Sequence, residues 1–324
     1  MTYVTNIVEH FHIKRYELAI NLLLKFILRM KRITVQNNFS KYLFNYYKKQ
    51  AESFVIHIEK AKSIPGEKNI HQLRVDIKKL RAIFNMLQLL FHDKFNADKY
   101  YAVFKPIFKN AGKVREVQLN SVLLSKYKLS PSIIKEYNLF FKDKGESSAK
   151  KLKIALSDFK TDRLDRSKIK IKKLLHEVKN KKISARHHLY IITEIQQIEQ
   201  LLPSGNDPAI MHKIRMHLKS LTAIGLLFHN MSPDKELQKL LTLLKKNGTI
   251  IGNWHDKIML AESLELFLTT KNKLSTDDLI LLSQVVERIK KENKFLVIKL
   301  KNGIAEILKT AYSFINLKHV WLKC

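Results

Sequence analysis

The chain has 324 residues, of which 60 are Lys or Arg and 29 are Asp or Glu, so its formal net charge at pH 7 is +31. Because 45% of the residues are apolar, the chain is able to bury a hydrophobic core, which excludes a disordered basic tail. With only 8 Gly and 6 Pro, it lacks the turn residues that β-sandwich and Rossmann-type folds need, and an all-α protein is predicted. The charge excess predicts a polyanionic partner, which is nucleic acid, an anionic lipid surface or polymeric phosphate.

The first 38 residues contain a strongly apolar stretch at 18–30 that Lys25 and Arg29 interrupt. These charges, and the lack of a small-residue cleavage site after the stretch, argue against a signal peptide and a membrane span. We expect residues 1–38 to form a helical extension that packs on the rest of the protein, with a cationic membrane-surface helix as the alternative. Cys324, the one cysteine, allows no internal disulfide, so the cytoplasm is the expected location.

From residue 39 onward, apolar residues recur at helical spacing, and short segments rich in Gly, Pro, Asn and Ser interrupt them. The segments between the interruptions predict long helices in up-and-down connection. No segment shows the alternation of β-branched residues that is typical of a strand. The predicted breaks lie at 64–66, 110–112, 144–145, 202–208, 232–233 and 247–248.

An internal repeat divides this part of the chain. The string IHQLRVDIKKLR at 70–81 returns 141 residues later as MHKIRMHLKSLT at 211–222, with His, Arg and Lys at the same positions. A second pair of strings, GKVRE at 112–116 and GNWHD at 252–256, recurs at nearly the same offset. Two landmarks in step indicate duplication of a unit of about 140 residues, so we predict two halves, 39–182 and 183–324.

The basic residues of the first string share one side of the predicted helix. At 100° per residue they form a stripe about 15 Å long, beside a face of aliphatic residues. Aligned cations repel one another, so the stripe suits an extended anion better than it suits stability. Chance clustering on a basic protein is the alternative, and a second stripe led by His argues against it. The first stripe consists of His71, Arg74, Lys78 and Arg81.

The first string resembles the signature helix of the CHAD family, the conserved histidine α-helical domain. The second string resembles the degenerate repeat of that helix, and AGKVREVQ at 111–118 is similar to the family's Gly-centred motif with Arg and Asp. The resemblance covers about residues 39–324. It implies two four-helix bundles related by a pseudo-twofold axis, with a basic central cavity that binds inorganic polyphosphate.

The resemblance also assigns anion-binding roles. The matching positions are His71, Arg74, Lys78, Lys79 and Arg81 in the first string, Arg115 in the Gly motif, and His212, Arg215 and Lys219 in the second string. His255 holds the place of Arg115 in the second half, and Thr222 stands where an Arg is expected, which predicts a weaker second half. Lys105 and Lys245 are one repeat apart and are added as further candidates.

The residues between the cations of both stripes are aliphatic, and this favours polyphosphate over nucleic acid. Single-stranded nucleic-acid sites usually place exposed aromatic side chains among the basic ones. The alternatives are a nucleoid-associated protein, with nucleic acid as a secondary partner, and an accessory protein or unrecognised enzyme of phosphate-polymer metabolism. Metal-hydrolase and P-loop motifs are absent from the sequence, so we expect a non-enzymatic protein without metal or other cofactor. Association with polyphosphate granules would follow from the binding.

Overall fold

The computed structural model describes residues 39–91, 93–178, 180–270 and 273–320, with side chains left out at 180–185 and 316–320. Over these residues the chain forms helices and short connections, without a strand, which confirms the predicted all-α class. The extension predicted for residues 1–38 lies outside the described residues, as does Cys324. The α-helices are α1 (Phe39–Ser63), α2 (Glu67–Leu90), α3 (Ala97–Tyr101), α4 (Lys105–Leu124), α5 (Pro131–Ser157), α6 (Asp162–His176), α7 (Asn180–Leu201), α8 (Pro208–Met231), α9 (Lys235–Leu268) and α10 (Thr276–Val320).

Side-chain caps fix the starts of several helices. Asp207 accepts a hydrogen bond from the backbone N–H of Ala209 at 2.7 Å, and Pro208 occupies the first helical position of α8. Asp234 accepts two backbone N–H groups at the start of α9, and Ser130 accepts one at the start of α5. Each cap satisfies amides that have no partner within the helix, so the sequence places these helix starts locally.

Three of the predicted breaks are wrong. The segments 110–112, 144–145 and 247–248 lie inside α4, α5 and α9. A single Gly in a helix costs only about 1 kcal/mol relative to Ala, and burial of the helix faces on either side outweighs that cost. Conversely, the chain leaves its helices at 125–130 and 158–161, which contain neither Gly nor Pro and gave no turn signal.

Two hydrophobic clusters hold the helices together, and both contain residues from the two halves of the sequence. The larger cluster includes Phe54 of α1 and Phe84 of α2, both fully buried, together with apolar residues of α8 and α10. The smaller cluster packs α4 and α5 against α9 and α10, and Tyr137 meets Phe267 there edge to face, with ring centroids 5.7 Å apart. The boundary between residues 182 and 183 therefore stays a prediction from the repeat.

The repeat is also visible in the burial of side chains. Residues 101–120 have the same order of buried, half-buried and exposed positions as residues 241–260, at every one of the twenty positions. Because burial depends on what packs around a helix, α4 and α9 occupy matching environments. The two Gly strings are therefore buried to the same degree at each position despite their different residues.

In each half, a histidine and a carboxylate connect the helix that carries the basic stripe to the helix before it. The Nδ1 atom of His57 on α1 donates to Asp76 Oδ2 on α2 at 2.5 Å, and Ser53 Oγ donates to Asp76 Oδ1 at 3.0 Å. In the second half, His217 Nδ1 on α8 donates to Glu194 Oε2 on α7 at 3.0 Å. Asp76 and His217 hold equivalent positions in the two strings. The stripe helix therefore supplies the carboxylate in the first half and the histidine in the second half, and the contact between the two helices is kept.

We expect the Asp76→Ala variant to lower the free energy of unfolding by about 3 kcal/mol, because it removes the buried partner of His57 and Ser53. Chemical denaturation measures this change. The exposed Glu59→Ala substitution on α1, which breaks only the surface pair with Lys62, serves as the control and should stay within about 0.5 kcal/mol. Equal effects of the two substitutions would contradict a stabilising role of the Asp76 contacts.

Candidate anion-binding site

Helices α2 and α8 contact each other, and their basic stripes meet. The charge of Arg215 on α8 acts on Lys78 of α2, and the charges of Lys78 and Arg74 act on Lys219. Helices α4 and α9 add Arg115 and His255 beside these stripes. We call this set the cationic cluster; its members are His71, Arg74, Lys78, Arg115, His212, Arg215, Lys219 and His255.

Two lysines of the cationic cluster come from opposite halves of the sequence. Desolvation lowers the pKa of Lys219 to about 7, with further contributions from the charges of Arg215 and Lys78. Desolvation also lowers the pKa of Lys78, followed by the charges of Arg74 and Arg215. Both lysines are nevertheless exposed to solvent. Partial dehydration and the neighbouring cations thus both disfavour the charged forms of these two ammonium groups.

The three histidines of the cationic cluster are held in their neutral forms at pH 7. Desolvation, and after it the neighbouring cations, lowers the pKa of His71 and of His212. For His255 the same causes lower the pKa to about 4, and its ring centroid lies 5.4 Å from that of His212. Neutral imidazoles let the permanent cations approach one another with less repulsion.

The Gly motif of the first half makes room for an arginine. Arg74 donates from Nη1 to the backbone oxygen of Phe108 at 2.7 Å, and its guanidinium lies 4.3 Å from the centroid of the Phe108 ring. A Cβ atom at Gly112 would lie 2.6 Å from Arg74 Nη1. At Gly252, the equivalent position, a Cβ atom would meet nothing within 4 Å. Correspondingly, Arg215 is not fixed in the manner of Arg74, and its buried Nε has no hydrogen-bond partner.

The other arginines of the first half also have protein partners. The guanidinium of Arg81 lies 4.7 Å from the centroid of the Tyr101 ring. Arg115 donates from Nη1 to Glu67 Oε1 in an ion pair. The second half was predicted to bind less strongly, but its Arg215 has a free donor, whereas the first-half arginines are engaged. That expected ranking of the halves stays a prediction.

Three candidate lysines lie outside the cationic cluster. Lys105 and Lys245 are exposed on α4 and α9, about 15 Å along the helix axis from Arg115 and His255 at 1.5 Å per residue. Lys79 is exposed on α2, about 100° around the helix from its neighbour in the stripe. A long anion that leaves the cationic cluster could reach them, so their roles stay predictions.

Asp256 is a member of the site that sequence reasoning did not select. It is half-buried on α9, where desolvation raises its pKa and the charges of Arg215 and Lys219 act in the opposite direction. The sequence feature that could have identified Asp256 is its position at the end of the second Gly string, which corresponds to Glu116 at the end of the first. Glu116 instead contacts Lys144 Nζ at 3.3 Å, so only the second half directs this acid into the cationic cluster.

The described residues place limits on other chemistry. Among them, no three His, Cys, Asp or Glu side chains are grouped so that they could hold a metal ion, and no described helix could cross a membrane. Trp254, which directly precedes His255, is buried and does not offer an open ring face to a nucleic-acid base. Phe108 is half-buried, and the guanidinium of Arg74 lies over its ring.

The two equivalent glycines provide a matched pair of substitutions. Gly252→Ala should raise the free energy of unfolding by about 0.5–1 kcal/mol, because it adds helix propensity in open space. The change in the free energy of unfolding for Gly112→Ala should be at least about 1 kcal/mol less favourable than that for Gly252→Ala. The reason is that the new Cβ displaces Arg74 from the Phe108 oxygen and breaks a charged hydrogen bond. Chemical denaturation of both variants measures the difference. Equal gains would show that Arg74 moves away without cost.

Comparisons with known proteins agree with this fold. The chain is similar to the crystal structure of the CHAD domain from the plant Ricinus communis, with a TM-score of 0.66 and 11% sequence identity over 82% of this chain and 91% of that chain. No curated protein matches the chain. The family model described as CHAD domain matches residues 46–265, a narrower range than the resemblance suggested. This match covers more than half of the sequence, and the chain belongs to the CHAD domain family.

Proposed function

We propose that the protein binds inorganic polyphosphate, without catalysis, at the cationic cluster. The observation that carries the proposal is the convergence of five Lys and Arg side chains from both halves, with two carboxylates, Glu67 and Asp256, as their acidic neighbours. Desolvated like charges raise the free energy of the unliganded protein, and a dense anion would relieve that cost. The cytoplasm, with its polyphosphate granules, is the proposed location.

Recognition of a phosphate chain needs several cations along a line and no reader of base edges. The cationic cluster matches this need because its permanent charges lie on α2, α4 and α8 and are backed by aliphatic and buried aromatic residues. Nucleic acid could use the same charges, but stacking of its bases requires exposed aromatic rings. We therefore expect long-chain polyphosphate to displace DNA from the protein at fixed salt, and the reverse displacement would favour the nucleic-acid alternative.

Removal of Lys78 and Lys219 should weaken polyphosphate binding and reduce its dependence on salt. By analogy with nucleic acids, each phosphate contact contributes about 0.7–0.9 to the slope of log affinity against log salt, so Lys78→Ala with Lys219→Ala should flatten the slope by about one to two units. Titration at several salt concentrations measures the slope. Both side chains are exposed, so helical content should not change.

The matched control is Lys168→Ala with Lys172→Ala, which removes the same number of lysines, both of them exposed on α6. We expect its salt slope to stay close to that of the wild-type protein, because α6 packs on α1 and lies outside the cationic cluster. Equal losses in the two double variants would mean that net charge rather than the cationic cluster drives binding.

Polyphosphate binding should take up protons at alkaline pH through Lys219. In the free protein its pKa is about 7, set by desolvation and by Arg215, Lys78 and Arg74 against the opposing charge of Asp256. A bound polyanion raises this pKa toward its ordinary value, so uptake should approach one proton near pH 8.5 and affinity should increase as the pH falls. The histidines contribute their uptake at lower pH, around pH 6.

Calorimetry in two buffers of different ionisation enthalpy measures this uptake. In the Lys219→Arg variant, which keeps the charge and removes the titration, most of the uptake at pH 8.5 should disappear while the uptake near pH 6 remains. Uptake confined to the lower range, and unaffected by this substitution, would assign proton linkage to the histidines alone.

A further inference from the structure

Glu67 lies at one end of the basic stripe on α2. It precedes His71 by four residues and therefore shares the face of the helix that carries the stripe. Its carboxylate accepts from Arg115 Nη1, and its side chain remains 54% exposed. The carboxylate of Glu67 is thus paired with Arg115, whose guanidinium group the proposed function assigns to the bound anion.

The first turn of a helix ordinarily favours an acidic residue because of the helix dipole, and this alone would account for a Glu. Two observations point beyond that explanation. The equivalent position in the second half is Pro208, so the repeat does not require an acid there. Arg115 is only 25% exposed, and it also acts electrostatically on His71 and Asp256, so Glu67 binds a cation that belongs to the cationic cluster.

Glu67 and Lys78 lie at different places along the stripe of α2. Glu67 precedes Lys78 by eleven positions, which corresponds to about 16 Å along the axis of the helix. Pyrophosphate, with two linked phosphates, is much shorter than this distance. An anion of that size bound between Lys78 and Lys219 leaves the Glu67 ion pair intact, whereas a long chain that follows the stripe meets the carboxylate.

We propose that Glu67 determines the selectivity of the site for the length of the phosphate chain. Glu67 remains paired with Arg115 until a polyphosphate chain that is long enough to extend along the stripe displaces the carboxylate. The proposal rests on the proposed function of the cationic cluster. Short phosphate anions bind near Lys78 and Lys219 without Arg115. Long chains gain Arg115 as an additional contact. The free energy that is needed to break the ion pair between Arg115 and Glu67 offsets part of this gain in binding.

The Glu67→Gln variant tests this proposal with two probes, long-chain polyphosphate and pyrophosphate. Its affinity for the long chain should increase about two- to fivefold, as expected from the strength of a largely exposed ion pair, and its affinity for pyrophosphate should stay unchanged. In an Arg115→Ala background the substitution should have no effect on either probe, because the cation over which carboxylate and phosphate compete is absent. Circular dichroism checks that each variant is folded.

Glu59→Gln is the control for net charge. Glu59 pairs with Lys62 on α1, is similarly exposed, and lies outside the cationic cluster. An equal increase in Glu59→Gln would reduce the effect to overall charge, and weaker long-chain binding by Glu67→Gln would make Glu67 a positioning residue for Arg115. Either result, or an unchanged long-chain affinity, overturns the inference while the wild-type protein still binds. Failure of the wild-type protein to bind either probe would overturn the proposed function, and this inference with it.

Discussion

The mutual repulsion of cations at one place is the constraint on which the rest of the structure depends. Partial dehydration is the largest cause that lowers the pKa of Lys78 and of Lys219, and the charge of Arg215 lowers both further. A flexible chain would relieve this repulsion by moving the side chains apart. Long helices whose aliphatic faces are buried in common hydrophobic clusters prevent that movement, so the energy of apolar burial maintains an electrostatically unfavourable surface.

Duplication supplies the geometry, and divergence makes the two halves chemically different. Residues 101–120 and 241–260 retain the same pattern of burial, and each stripe helix retains a histidine–carboxylate contact to its neighbour. Within that shared frame, Arg74 binds the Phe108 oxygen close to Gly112, whereas Arg215 has a free donor and Gly252 has open space around it. The first half therefore engages its arginine in a protein contact that the second half lacks.

Neutral histidines and acids moderate the charge of the site. His255 replaces an arginine of the first half and remains neutral because burial and nearby cations oppose its protonation. Asp256 enters the cationic cluster from the same string, and Glu67 occupies Arg115 at the other end. The unliganded site thus carries fewer net charges than its basic residues alone would give, which lets it exist without a bound anion.

The sequence by itself determined the helical class, the repeat and the residues of the two stripes, because composition, helical period and spacing are properties of the chain alone. The start of α8 at Asp207 and Pro208 is also fixed locally, by a contact between near neighbours. The sequence wrongly placed breaks at the glycines of α4, α5 and α9, since burial of helix faces outweighs the local preference of glycine. Only the tertiary structure decided that the stripes meet, that Arg74 lies against Gly112 and that Glu67 binds Arg115. Those contacts join residues far apart in sequence, and their formation depends on how the helices pack.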